Sequence, residues 1–182
     1  MHLPSKQAYN SAMLRLLLLM AAMLHVEPAR NPFAALAVYS GTWTVNAQHP
    51  FSGGTGPDTL INRCAATAAP PGEAFFTCEQ IVNGKAAELV IFTLSKYPGT
   101  FGVANVLPNG HASSNTDLII DPANSSHWTF VTHESAPGQP RYRTENTFHG
   151  PDAIHFEQFQ SSDDGKTWMK TNEGDEARQH AA

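Results

Sequence analysis

The sequence predicts an all-β protein, an up-and-down antiparallel barrel of about ten strands with a short helix before the first. Three observations carry that prediction. Turn signals recur along the whole chain: Asn83-Gly84, Tyr97-Pro98-Gly99, Pro108-Asn109-Gly110, Pro137-Gly138, His149-Gly150-Pro151-Asp152 and Asp163-Asp164-Gly165. Asn-Gly and Asp-Gly supply the positive φ angles of tight hairpins, and Pro presets the first turn residue. The runs between them are short and rich in Val, Ile, Thr, Phe and Trp, as strands are. A meander this long must also hide its two edges, and closing into a barrel removes them.

The first element lies outside the barrel. Residues 1–30 read as a signal peptide or leader: Lys6 and Arg15 precede an apolar run, Leu16 to Leu24. That run has the length of a signal-peptide core and falls short of the roughly 20 residues that span a bilayer. Met13 is an alternative start, and Ala29 a candidate last residue removed, although Glu27 sits where a small residue is preferred. An N-terminal amphipathic helix is the competing reading. Export predicts a periplasmic or secreted protein.

Next, Pro32 to Val38 suits a short helix, with Asn31 as its cap. Strands are then expected at about 39–48, 57–67, 74–82, 85–95, 99–107, 112–120, 126–135, 140–148, 153–161 and 166–172. The barrel domain is placed at 31–175, with residues 176–182 as a disordered tail, because the end of the chain is small and charged. The 182 residues suit one domain. The net charge of -5 without a basic run excludes nucleic-acid binding.

Alternation assigns faces. A turn at Pro71 sets Cys64 opposite Cys78, close enough for a disulfide in an oxidising compartment. The Asn83-Gly84 hairpin, pairing Val82 with Lys85, puts Phe76, Cys78, Gln80, Leu89 and Ile91 inside, and Glu79 and Glu88 outside with Val90 and Phe92. A turn centred on Gly138 pairs Phe130 with Asn146 and Trp128 with Phe148. The next turn pairs Phe148 with Ile154 and Asn146 with Phe156, leaving Arg141, Arg143 and Glu145 outside.

Gly41-Thr42-Trp43 follows the helix directly at the start of the first strand. This Gly-x-Trp after a short helix, with the late Ser162-Asp163-Asp164-Gly165-Lys166-Thr167-Trp168, resembles the lipocalin-like, or calycin, barrels. The closing hairpin is similar to that of small secreted bacterial calycin-like proteins of unassigned function. The resemblance covers residues 32 to about 172 and implies that Gly41 and Trp43 build one barrel end. It further implies that an arginine near the end of the last strand stacks on that tryptophan, for which Arg178 is the candidate. Nitrobindin-like haem barrels share the helix and Gly-x-Trp, but the continuation Thr44-Val45-Asn46-Ala47 lacks their glycines.

Catalytic and metal chemistry find little support. Of nine histidines, those on strands (His127, His133 and His155) fall on the outer parity. The serines lack a nucleophile elbow. Ser52-Gly53-Gly54-Thr55-Gly56-Pro57 lacks the lysine and helix of a phosphate loop and reads as a loop at the barrel mouth. Glu173, Asp175 and Glu176 read as a solvated tail. What remains is a mixed interior, with Phe76, Gln80, Ile91, Phe130, Tyr142, Asn146 and Phe156 as the expected ligand-contacting residues. The leading expectation is a monomeric, exported, non-enzymatic barrel binding a small apolar molecule, without cofactor, metal, nucleic acid or membrane span. The alternatives are a haem-binding or enzymatic barrel of nitrobindin-like type, and a surface-interaction module with a filled barrel.

Overall fold

A computed structural model describes residues 31–67, 74–133 and 138–180. The leader, the Pro70-Pro71-Gly72 turn and the last two residues lie outside them. The chain divides into two compact units at Ala34/Ala35. In the described end of the first, the Phe33 amide donates to Asn31 Oδ1 at 3.0 Å, the side-chain cap that the sequence predicts.

The second unit is a closed barrel of ten antiparallel strands in simple sequential order, with β1 closing on β10. A short 3-10 helix, Ala34–Tyr39, leads into β1 (Gly41–Ala47). There follow β2 (Asp58–Ala66), β3 (Phe75–Val82), β4 (Lys85–Leu94), β5 (Thr100–Val106) and β6 (Ala112–Ile120). The circuit ends with β7 (His127–Thr132), β8 (Arg141–Phe148), β9 (Ala153–Ser161) and β10 (Met169–Arg178). No helix among the described residues is long and apolar enough to cross a membrane.

Three pairings agree with those read from the turns. Cys64 faces Cys78 across β2–β3, and the two form a disulfide. Phe148 faces Ile154 and Asn146 faces Phe156 across β8–β9. The Asn83-Gly84 turn has φ of 49° and 77°, the left-handed pair that a tight hairpin needs, and it pairs Val82 with Lys85.

Three expectations are corrected. Ile81 pairs with Ala86, but Gln80 pairs with Glu88, so the register slips by one residue at a bulge. A slip of one exchanges the two faces of a strand. Val90 and Phe92 therefore point in and are buried, while Ile91 and Leu89 turn away from the cavity. Across β7–β8 the pairs are Trp128 with Asn146 and Phe130 with Thr144, a shift of two that leaves the faces unchanged. The last strand is the largest difference. It runs to Arg178, so Glu176, Ala177 and Arg178 are strand residues rather than a tail. β10 carries no hydrophobic run because only two of its ten residues, Asn172 and Gly174, are buried. At Gly174 any Cβ would meet Asn46 O at 2.4 Å and the Phe156 ring at 2.9 Å.

One end of the barrel is solid. Trp43 is fully buried in a cluster with Val45, Leu60, Ile154 and Phe156. Its indole N–H donates to Tyr39 O at 3.0 Å, which ties the strand to the helix. The Arg178 guanidinium lies 4.2 Å above the Trp43 ring, the stacking that the calycin resemblance implies. It donates to Ser40 O, Val38 O and Pro151 O and pairs with Asp152. Gly41 is required beneath it, because a Cβ there would sit 2.5 Å from Arg178 Nη1 and φ is +134°. The β9–β10 turn is self-sufficient. Asp163 accepts from Thr167 N and Oγ1 and from Ser161 Oγ, which holds its carboxyl low, at about 2.

Candidate ligand-binding cavity

Away from that end the barrel is hollow, with a cavity of about 1210 Å3 that opens between the loops opposite the helix. The volume exceeds the roughly 300–1,000 Å3 of common small-molecule sites. The apolar wall comes from inward positions of successive strands: Leu60, Val82, Val90, Phe92, Val103, Phe130 and Phe156. Polar groups interrupt it at Asn62, Gln80, Glu88, Asn105, Asn146, Gln158 and Glu176.

The expected contact residues divide. Gln80, Phe130, Asn146 and Phe156 all line this one cavity. Tyr142 lines it too, but at the rim, 56 % exposed. Phe76 is buried against Phe92, with ring centroids 6.1 Å apart, and is not a lining residue. Ile91 is excluded by the β4 bulge.

The cavity floor is built around Tyr39, the last residue of the helix. Its ring packs edge-on to Trp128 at 5.4 Å and Phe148 at 5.7 Å. Its hydroxyl accepts from Asn146 Nδ2 at 2.8 Å, so the Asn146 amide is anchored by Tyr39 rather than by Thr132 or Thr144. Burial raises the Tyr39 pKa well above the usual phenol range, against the lowering effect of that hydrogen bond, and the nearby Glu176 charge raises it further. The phenol stays protonated.

The carbonyl oxygens of Asn62 and Asn146 are buried without a hydrogen-bond partner. The two residues are 4 % and 7 % exposed. Asn105 Oδ1 is in the same state. Glu176 projects from β10 onto the wall, and burial pushes its pKa up to about 7. Among the described residues no hydrogen bond or ion pair reaches its carboxylate. Sequence reading missed Glu176 because it placed the residue in the tail. It missed Asn62 because β2 was never assigned a face.

The rim is ordered by a different carboxylate. Asp58, 1 % exposed, accepts from Ser52 N at 3.0 Å, Ser52 Oγ at 2.5 Å and Asn83 Nδ2 at 2.7 Å. Burial alone would raise its pKa, but these hydrogen bonds outweigh burial and lower it. Asp58 thereby ties the β1–β2 loop to the β3–β4 hairpin and sets Phe51 against Phe156, with centroids 5.5 Å apart.

On the outer face, His155, Glu157 and Glu173 stand close enough to share a metal ion. Lys170 already occupies that arrangement, donating to both glutamates, and His155 is held by Asp175 at 2.9 Å.

No protein-family model matches the chain. No curated protein matches it either. Among solved structures it is similar to the S-type phycobiliprotein lyase CPES from Guillardia theta, at 9 % identity and a TM-score of 0.41, over 80 % of this chain and 90 % of that one. It is also similar to a redesigned beta barrel, mFAP1, bound to DFHBI, at 14 % identity and a TM-score of 0.29, over 79 % and 98 %. EF1p2_mFAP2b bound to DFHBI matches at 13 % identity and a TM-score of 0.28, over 80 % and 97 %.

Proposed function

We propose that this chain is an exported, monomeric, non-enzymatic calycin-like barrel that binds a small, mainly apolar molecule in its interior. The observation that carries the reading is the cavity of about 1210 Å3, open at one end and walled by aromatic and aliphatic side chains. A protein interior is normally packed to crystal density, so a void of this size costs dispersion and burial that a ligand restores. Its polar groups suit orientation: Gln80, Gln158 and Glu176 interrupt the apolar wall at separate strands. Export is supported by the Cys64–Cys78 disulfide, a bond that persists in oxidising compartments.

Titration with the apolar fluorophore N-phenyl-1-naphthylamine tests the proposal. Micromolar binding is expected, about -8 kcal/mol. Absence of binding by the folded protein would overturn it. A second reading, an enzymatic barrel, draws on Glu176 beside Tyr39, an inward acid in an enclosed site. Turnover of any bound ester or amine, abolished by Glu176→Gln, would establish it.

A further inference from the structure

We infer that the cavity is built for a hydrophobic organic cation whose charged nitrogen is held by Glu176 at the floor. This rests on the proposal above that the cavity takes a ligand. Three independent features of the wall converge on it.

The first is an unmatched acceptor. Glu176 lines the cavity, and among the described residues no hydrogen bond or ion pair reaches its carboxylate. A neutral apolar guest would leave it unsatisfied. An ammonium or amidinium brings N–H donors, and its charge offsets the cost of holding a carboxylate away from water.

The second is that the described residues offer it no uncommitted internal counter-ion. The cross-strand neighbours of Glu176 are Val45 on β1 and Ile154 on β9, both apolar. From the helix the nearby group is the phenol of Tyr39. Arg178, two residues on along the same strand face, is committed to Ser40 O, Val38 O, Pro151 O and Asp152. The basic side chains on the cavity wall are Lys85 and His111, both exposed at the rim, and Glu88 is a further acid. Burial raises both Glu88 and Glu176 above the usual carboxylate range.

The third is the ring lining. Tyr39, Phe92, Phe130 and Phe156 face the same space. Aromatic faces attract cations, most strongly where water is excluded, and they accept the apolar body of the same molecule.

The test uses a matched pair of probes on the full chain at pH 8, dansylcadaverine and its N-acetyl derivative. They share a fluorophore and differ in one positive charge. Wild type is expected to favour the amine by at least about tenfold, the scale of one close charge pair. Glu176→Gln should abolish that preference while leaving the affinity of the acetylated probe within about twofold. Equal wild-type affinities would overturn the cation assignment and leave the cavity reading intact, whereas failure of both probes to bind would remove the cavity reading itself. A preference that survives in Glu176→Gln would reject Glu176 as the anchor. Should that variant not fold, Glu88→Gln compared at pH 8 and pH 5 gives the same answer, because Glu176 is then the remaining acid on the described cavity wall. The aliphatic amine stays charged at pH 5, Glu176 is protonated, and the preference should shrink; His111→Gln controls for the rim imidazole, and a preference unchanged at pH 5 overturns the assignment.

Discussion

At the helix end of the barrel the polar groups of the plug are partnered: the Trp43 indole by Tyr39 O, the Arg178 guanidinium by three carbonyls and Asp152. On the cavity wall the position is reversed. Asn62, Asn105 and Asn146 hold unpartnered oxygens, and among the described residues no hydrogen bond or ion pair reaches the Glu176 carboxylate on the same wall. Both regions are made by the same ten strands and the same alternation. The difference lies in side-chain volume. Trp43, Trp128, Phe148 and Tyr39 crowd one end, while Val90 and Val103 leave space above it. A barrel can thus be anchored by one end and emptied at the other.

The largest effect that breaks this comparison is loss of the plug. Trp43→Ala should cost about 3–5 kcal/mol, as large aromatic truncations in cores do. Chemical denaturation measures it, and a cost within about 0.5 kcal/mol would mean that the end is not a plug.

Glu176→Gln should do the opposite. A carboxyl raised in the folded state from 4.5 to about 7 makes the folded form bind more protons than the unfolded one between those values. Stability therefore falls as pH rises from 4.5 to 7, by about 3 kcal/mol in all, and stays lower above. The variant should then be more stable than wild type at pH 8 and equal to it near pH 4. Parallel stability curves for the two proteins would show that Glu176 is not desolvated.

The disulfide sharpens the comparison along the wall. Reduction should cost about 3 kcal/mol for a loop of this length, and equal midpoints with and without reductant would refute that. Smaller again is Asp58→Asn, which weakens charged hydrogen bonds worth about 1.5–3 kcal/mol each at most. Its effect should be local. Hydrogen exchange should quicken at the Ser52 and Asn83 amides and leave the Trp43 amide protected; a uniform rise would argue that Asp58 supports the whole barrel.

The fold was legible because turn chemistry is local: Asn83-Gly84 and His149-Gly150-Pro151-Asp152 each set a register that the structure contains. The β4 face was not, because a one-residue bulge at Ala87 carries no signature of its own. The warning lay in the outcome, since the unbulged register exposes Val90 and Phe92. The second half of β10 escaped notice because Gly174 and its acids look like a tail. Placing Arg178 over Trp43 requires a strand that reaches Arg178, and parity from there turns Glu176 inward. The most chemically distinctive residue of the cavity was therefore implied by the plug.

The central claim, that the barrel interior above the plug takes a small molecule, is tested most directly by filling it. N-phenyl-1-naphthylamine affinity should be compared for wild type, Phe130→Trp on the cavity wall and Arg63→Ala on the surface. The account predicts micromolar binding to wild type and Arg63→Ala, weakened by about tenfold or more in Phe130→Trp, because added volume excludes the probe. Binding that is indifferent to Phe130→Trp would place the probe elsewhere and contradict the account.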